Sequence, residues 1–208
     1  DKNSQRRPSV NKAEKLFKKV EKEFQHYDLE SAKPFLKGLS EGARRDVEDK
    51  NRSGYYQWLS CLVRVVKPRQ IVELGGAMGA SALMMLSELP EKSRLYSITL
   101  EEHGLEFSFV REKYPNFIPI VGDDLDFKVW PKGLDFKKTD IWFIDTEHTA
   151  DQLRAELTLY GLHFKKGAIV LIDDIKLNDM FEVWKEITWD KYDATYHLHW
   201  SGFGICVI

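Results

Sequence analysis

The sequence predicts an α/β fold in which a mostly parallel sheet is covered by helices on both faces. Short apolar runs alternate along the chain with segments of helical character, which is typical of repeated βα units. The apolar runs are continuous rather than alternating, as expected of strands that are buried on both faces. A glycine-rich turn joins the first of these strands directly to a helix. A chain of 208 residues is long enough to bury the core of one such domain.

The N-terminal quarter of the chain predicts helices that precede the sheet. Apolar residues recur at helical spacing over 10–27 and predict an amphipathic helix. The polar segment 31–52 is interrupted by Pro34, Gly38 and Gly42 and predicts loops and short helices. A further helix is expected from Ser53, as its N-cap, to residue 66. We therefore divide the chain into an N-terminal helical extension or lid, 1–52, and a main domain, 53–208.

The main domain predicts five strands followed by a closing hairpin. The expected strands are 71–74, 95–100, 117–121, 141–145 and 168–173. Helices are expected over 80–89, 101–114, 149–163 and 177–187. Two last apolar runs, 194–199 and 203–208, are separated by a segment too short for a helix. Because strands that are close together in sequence pair antiparallel, these runs predict a C-terminal antiparallel hairpin.

Composition excludes several classes of partner. The net charge of −2 provides no field that would attract nucleic acid or an anionic membrane surface. No apolar run approaches the length of a membrane span, and residues 1–11 lack the features of a signal peptide. The two cysteines, Cys61 and Cys206, lie in apolar runs and predict free thiols in a reducing compartment. We expect a cytoplasmic protein without nucleic-acid or membrane partners.

The turn after the first strand predicts a site for a small ligand. Glycines allow the backbone to approach a ligand closely, and a helix N-terminus offers unpaired N–H groups. The spacing from Gly75 to Gly79 is neither that of a P-loop nor that of the dinucleotide-binding fingerprint. Glu73, two residues before the first glycine, would repel a pyrophosphate but suits a cationic ligand. The turn therefore favours S-adenosylmethionine over a dinucleotide.

The run Glu73-Leu74-Gly75-x-x-x-Gly79-x-Ser81 resembles motif I of the class I S-adenosylmethionine-dependent methyltransferases. It is most similar to the metal-dependent catechol O-methyltransferase-like branch, which includes small-molecule and sugar O-methyltransferases. The resemblance covers about 53–208 and implies a Rossmann-like, doubly wound, seven-stranded sheet in the order 3-2-1-4-5-7-6, with the helices before it as a variable lid. It implies cofactor contacts at Glu73, Gly75, Gly76, Gly79 and Ser81.

The same resemblance assigns the ends of the second and third strands to the cofactor. In the family an acid at the end of the second strand binds the ribose hydroxyls, but Thr99 occupies that position here. Glu101 or Glu102 follows one helical step later and is the expected substitute. Asp123 and Asp124, in the turn after the third strand, resemble the residues that contact adenine, although Gly-Asp is also ordinary turn chemistry.

Carboxylates at the ends of the fourth and fifth strands predict a metal site. Neighbouring strand ends lie about 4.8 Å apart, so Asp145 can share a cation with Asp173 and Asp174. Oxygen ligands favour Mg²⁺ or another hard divalent cation. The resemblance implies the same three positions, with Asp174 replacing an asparagine, and it implies that His148 is the general base. Asp145 also borders the cofactor in this interpretation. Any one of these aspartates could instead cap a helix or face water.

These residues predict an S-adenosylmethionine-dependent O-methyltransferase, assisted by a divalent metal, that acts on a small molecule with adjacent hydroxyls. A bound metal would lower the pKa of the acceptor hydroxyl, and His148 would take its proton. Two alternatives stay open. One is a cephalosporin hydroxylase-like protein that binds cofactor and metal for other chemistry, and the other is a non-catalytic interaction module. A homo-oligomer is also left open.

Overall fold

The computed structural model describes residues 11–101 and 112–208, and seven strands of these residues lie in one sheet. Their order is β3-β2-β1-β4-β5-β7-β6. Strands β1 to β5 are parallel, and β7 is antiparallel to both of its neighbours. The doubly wound sheet with antiparallel C-terminal strands is confirmed. The strands are β1 Gln70–Leu74, β2 Arg94–Thr99, β3 Phe117–Val121, β4 Ile141–Ile144, β5 Ile169–Asp173, β6 Asp190–Asp193 and β7 Phe203–Val207.

The helices of the described residues follow the predicted alternation, with shorter bounds. They are α1 Lys12–Phe24, α2 Glu41–Glu48, α3 Lys50–Ser53, α4 Tyr55–Val66, α5 Ala80–Leu86, α6 Ala150–Gly161, α7 Met180–Glu186 and α8 Thr195–Leu198. The prediction that Ser53 caps α4 is wrong, because Ser53 ends the single turn α3 and Gly54 precedes α4. Most of the helix predicted over 101–114 lies outside the described residues.

The strand predicted over 194–199 is wrong. Strand β6 lies earlier in the chain, and most of the predicted strand forms α8 instead. The apolar residues Ala194 and Leu198 are both buried, and their spacing of four places them on one face of a helix. Asp193 stabilises the start of this helix by accepting a hydrogen bond of 3.0 Å from the backbone N–H of Thr195. The connection 194–202 therefore returns the chain to β7 through a helical turn.

The core consists of two layers, one on each face of the sheet. Successive strand residues alternate between the layers, so that Ile71 belongs to the first and Val72 to the second. Helices α1, α4 and α5 cover the first face, whereas α6 and α7 cover the second. Phe17 and Val20 of α1 are buried in the same cluster as the strands of the first face. The division of the chain at residue 52 stays a prediction. None of the helices in the described ranges has the length and apolarity needed to span a membrane.

Gly202, which precedes β7, is expected to be intolerant of a side chain. It has φ of +120°, and an added Cβ would lie 2.6 Å from the backbone nitrogen of Lys176. Gly167 has φ of +83° but open space around it. Both alanine substitutions carry the penalty of a left-handed backbone, about 1–2 kcal/mol, but only Gly202→Ala also forces backbone apart. Chemical denaturation is expected to show a loss in the free energy of unfolding that is larger for Gly202→Ala by about 1 kcal/mol or more. Equal losses would contradict this.

Candidate active site at the carboxyl edge of the sheet

The glycine turn after β1 packs directly against the neighbouring strands. Gly75 has φ of +90°, and a Cβ at this position would lie 1.7 Å from the carbonyl oxygen of Asp145, just after β4. A Cβ on Gly76 would lie 2.1 Å from Oγ of Ser97 in β2. Gly79, with φ of +81°, is the N-cap of α5. Glycine is therefore required at Gly75 and Gly76 by close approach to other chain segments, and at Gly75 also by the positive φ.

Glu73 lies beneath this turn with a fully buried carboxylate. It accepts hydrogen bonds from the hydroxyls of Ser81 in α5 and Ser97 in β2. Burial raises the pKa of Glu73 to about 7, although the two hydroxyls act in the opposite direction. The carboxylate thus ties β1, β2 and α5 together below the turn. Direct contact of Glu73 or Ser81 with a cofactor stays a prediction.

A cavity of about 440 Å³ opens at the carboxyl ends of β1 to β4. Five of the predicted cofactor residues line it: Gly75, Thr99, Asp123, Asp124 and Asp145. The other lining residues are Ala77, Ile98, Leu100, Gly122, Leu125, Thr146, Glu147 and Gln152. This is the position at which open α/β sheets bind ligands, beside the strand where the sheet order reverses. The structure thus brings the ends of four strands together around one cavity.

The remaining predicted cofactor residues do not line this cavity. Gly76 and Gly79 lie in the turn, with their backbone held against β2 and α5. Glu101 is exposed and lies outside the lining, while Glu102 falls outside the described residues. Thr99 therefore lines the cavity, whereas Glu101 does not. A role for Glu101 in ribose binding stays a prediction.

A buried pair of acids beside the cavity was not found from the sequence. Glu156 of α6 is fully buried and accepts hydrogen bonds from Thr146 (2.6 Å) and Gln152 (2.9 Å). Its Oε2 and the Oδ2 of Asp124 are both buried, and neither has a hydrogen-bond partner among the described residues. Burial raises the pKa of Glu156 to about 8, and the charge of Asp124 contributes to this increase. The hydrogen bond from Thr146 acts in the opposite direction and lowers the pKa. The sequence did contain a signal for this burial, because Glu156 lies three residues after Leu153 and therefore on the apolar face of α6.

A second polar cluster lies where β4 and β5 end side by side. Nε2 of His148 lies 3.0 Å from Oδ1 of Asp145 and 3.1 Å from Oδ2 of Asp174. Asp173 and Asp174 are both buried. His148 and Asp174 each have φ of +56°, which is uncommon for residues other than glycine. The three predicted metal ligands and the predicted base therefore lie together at one point of the sheet edge.

His199 joins this cluster, and sequence reasoning missed it. Its Nδ1 lies 3.1 Å from Oδ1 of Asp173 and 3.4 Å from Oδ1 of Asp174. The residue follows α8, in the segment that the sequence predicted to be a strand. The signal that could have found it is the pairing of β7 with β5. Because Phe203 pairs with Asp173, residues shortly before Phe203 must lie near the carboxyl end of β5.

The cluster contains three carboxyl groups, those of Asp145, Asp173 and Asp174, and two histidines that can neutralise them. Burial and the charge of Asp145 raise the pKa of Asp173 to about 7. The hydrogen bond with Asp145 raises the pKa of His148. Burial alone would lower the pKa of His199, but the hydrogen bond and charge of Asp173 outweigh it and raise the pKa. Oδ1 of Asp174 is buried and accepts no hydrogen bond from the described residues. Carboxylates and imidazoles so arranged fit a divalent cation.

Comparison with known proteins identifies the family. Residues 72–175, half of the chain, match the family model described as a methyltransferase domain. The protein therefore belongs to the methyltransferase domain family. It is a methyltransferase enzyme with the class I, S-adenosylmethionine-dependent fold. No curated protein sequence matches the chain significantly.

Solved structures share this fold at low sequence identity. A methyltransferase from Geobacter sulfurreducens has a TM-score of 0.62 at 14% identity, over 81% of this chain and 90% of that chain. The O-methyltransferase TomG from Streptomyces achromogenes, in complex with S-adenosylmethionine, has a TM-score of 0.58 at 18% identity, over 95% and 98%. An O-methyltransferase from Bacillus cereus, in complex with S-adenosylhomocysteine, has a TM-score of 0.57 at 15% identity, over 86% and 90%.

The acid pair predicts a pH dependence of stability. Because the folded-state pKa of Glu156, about 8, lies above its ordinary value of 4.5, its protonation stabilises the folded protein. This contribution is complete below about pH 4.5 and is lost as the pH rises through about 8. Glu156→Gln keeps the hydrogen bonds without the ionisation. Its stability relative to the wild type is therefore expected to rise by up to about 1.4 kcal/mol per pH unit across this window.

Denaturant unfolding measured at several pH values checks this prediction. Asp151→Asn, which changes an exposed carboxylate at the start of the same helix, is the matched control. The control is expected to shift stability similarly at every pH. A difference between Glu156→Gln and the wild type that stays constant with pH would show that Glu156 is ionised throughout.

Proposed function

We propose that the protein transfers a methyl group from S-adenosylmethionine to a hydroxyl oxygen of a small molecule, with the help of a divalent cation. The observation that carries this proposal is that Asp145 borders both the cavity and the polar cluster. Asp145 lines the cavity, and its Oδ1 contacts His148 in the polar cluster. A methyl donor in the cavity and an acceptor at the cluster would therefore meet at this residue.

The shape and charge of the cavity support S-adenosylmethionine as its ligand. A volume of about 440 Å³ lies within the range of small-molecule sites, about 300–1,000 Å³. Four acidic residues line it, Asp123, Asp124, Asp145 and Glu147, and their carboxyl groups suit a ligand with a sulfonium and an ammonium charge. TomG and the Bacillus cereus enzyme, which share the fold, bind this cofactor or its product. In this proposal the glycine turn borders the ligand from β1.

The polar cluster supports a proton-transfer role for His148. We assign Asp145, Asp173 and Asp174 to the cation, Mg²⁺ or another divalent ion, which when bound supplies a positive charge that lowers the pKa of the acceptor hydroxyl. Nδ1 of His148 is the atom that takes the proton, because Nε2 faces two carboxylates and already carries a hydrogen. Because Asp145 and Asp174 lie within hydrogen-bond distance of Nε2, they stabilise the imidazolium that results. The chain then contributes positioning, with donor and acceptor held for in-line transfer.

The start of α4 supports an acceptor site on the outer side of the cluster. The rings of Tyr55 and Tyr56 are tilted against each other by 32° with centroids 4.2 Å apart, and the centroid of the Tyr55 ring lies 4.9 Å from that of His199. Aromatic side chains beside the cluster suit a planar acceptor with adjacent hydroxyls. The helices before α4 would then act as the lid. Of the alternatives, a non-catalytic module rests on Thr99 alone, and membership of the methyltransferase family speaks against it.

Filling the cavity is expected to abolish cofactor binding. Ala77 is exposed and lines the cavity, whereas the next residue, Met78, is exposed and does not line it. Ala77→Phe places a ring in the space that the cofactor needs, so calorimetry is expected to show a loss of affinity for S-adenosylmethionine of about tenfold or more, equivalent to about 1.4 kcal/mol. Met78→Phe is the control and is expected to keep wild-type affinity. Unchanged binding by Ala77→Phe would place the cofactor elsewhere.

Removal of the proposed base is expected to lower turnover without affecting the cofactor. With catechol and vicinal-diol sugars as probe acceptors, release of S-adenosylhomocysteine reports methyl transfer. His148→Gln is expected to lower kcat by about a hundredfold or more, as for the loss of a general base, with S-adenosylmethionine affinity retained. His163→Gln, at a histidine that lines another cavity, is the control. Wild-type turnover by His148→Gln would eliminate this residue as the base.

A further inference from the structure

The polar cluster has a nitrogen ligand in addition to its carboxylates. One potential ligand atom from each of Asp173, Asp174 and His199 lies within 4.8 Å of the others. A second group of the same kind consists of Asp145, His148 and Asp174. The two groups share Asp174, but its two oxygens point to different partners. Oδ2 contacts His148, while Oδ1 lies nearest to His199.

The distances around His199 match those between neighbouring ligands of one metal ion. Adjacent ligands of an octahedral ion with bonds of about 2.1–2.2 Å lie about 3.0 Å apart. Nδ1 of His199 lies 3.1 Å and 3.4 Å from the nearest oxygens of Asp173 and Asp174. A small inward movement would bring all three atoms to a common centre. The cluster therefore needs little rearrangement to hold an ion between these side chains.

The carboxylate of Asp174 supplies an independent indication that the cluster binds a cation. Its side chain is about nine-tenths buried, and its Oδ1 accepts no hydrogen bond from the described part of the chain. Oδ2 of the same carboxylate lies at hydrogen-bond distance from His148. A buried carboxylate oxygen without a donor is unfavourable unless a cation or a proton satisfies it. The open oxygen is the one that lies beside His199.

The fold fixes the position of His199. Its side chain is only 13% exposed, and Oγ of Ser201 lies 3.1 Å from its Nδ1. The backbone N–H of Asp174 donates to the carbonyl of Gly202 at 2.9 Å, which holds the segment 194–202 against the end of β5. The imidazole is therefore presented to the two aspartates by the same backbone contacts that join β5 to β7.

We propose that Nδ1 of His199 is a metal ligand, and that this nitrogen makes the site select a first-row transition-metal ion over Mg²⁺. The inference rests on the metal site of the proposed function and specifies the class of ion. Mg²⁺ takes oxygen ligands and binds imidazole poorly, whereas Mn²⁺, Co²⁺ and Zn²⁺ accept nitrogen together with carboxylates. His148 stays outside this ligand set and is free to take a proton. Mn²⁺ and Mg²⁺ are the probes for the test.

Calorimetry on the metal-free protein tests the selectivity. The wild type is expected to bind Mn²⁺ at least about tenfold more tightly than Mg²⁺. His199→Asn is expected to lower the Mn²⁺ affinity by about tenfold or more and to leave the Mg²⁺ affinity unchanged or higher. His197→Asn removes an exposed imidazole two residues away and is the matched control. Melting curves of the metal-free variants establish folding, and His199→Gln replaces His199→Asn if the latter is unfolded.

Electron paramagnetic resonance of bound Mn²⁺, with ¹⁵N-labelled histidine, identifies the ligand directly. A nitrogen coupling is expected in the wild type and in His197→Asn, and it is expected to disappear in His199→Asn. A coupling that persists in His199→Asn but is lost in His148→Gln would assign the ligand to His148 and overturn the inference.

Two other outcomes separate this inference from the proposed function. Equal affinity for Mn²⁺ and Mg²⁺ with no nitrogen coupling would make His199 only an ion-pair partner of Asp173, with the metal-assisted function intact. If the wild type bound neither ion but still bound S-adenosylmethionine, this result would overturn both the present inference and the metal assistance in the proposed function.

Discussion

The close contact between the glycine turn and the end of β4 is the constraint on which the site depends. The backbone at Gly75 approaches the carbonyl of Asp145 so closely that a single methyl group would separate them. This contact fixes the turn that borders the cavity relative to the aspartate that borders the polar cluster. Methyl transfer requires donor and acceptor at a defined separation, since catalysis of this kind is mainly positioning. The glycine thus sets the geometry of both halves of the site.

Buried acids surround this contact, and each set is satisfied in a different way. Glu73 accepts hydrogen bonds from two serine hydroxyls, and Glu156 accepts hydrogen bonds from Thr146 and Gln152. The pair Asp173 and Asp174 is opposed by two imidazoles, with one oxygen left open. Glu73 and Glu156 are thus anchored to neighbouring side chains and support the walls of the cavity. Only the last of these sets combines a buried oxygen that lacks a hydrogen-bond donor with two imidazoles, which is why we place the cation there.

The antiparallel return of β7 completes the site. It brings His199 beside β5, and the left-handed backbone at His148 and Asp174 directs these two side chains towards each other. Such backbone conformations are unfavourable by about 1–3 kcal/mol each and persist where surrounding structure enforces them. Asn178 is part of that structure, because its side chain donates a hydrogen bond of 2.8 Å to the carbonyl of His148. Strain and burial therefore coincide at the cluster, as is usual for functional sites.

The sequence by itself determined the sheet, the glycine turn and the aspartates at the strand ends. These follow from local patterns: apolar runs, glycine spacing, and the rule that parallel strands end at one edge. Tertiary structure alone decided which side chains meet. Glu156 lies far from Asp124 in sequence, and His199 reaches Asp173 through the pairing of β7 with β5. The prediction of a strand over 194–199 was wrong for the same reason. The apolar residues of this run are four apart, and packing makes the run a helical turn rather than an extended strand. Contacts between distant segments depend on how elements pack, and no local pattern encodes that.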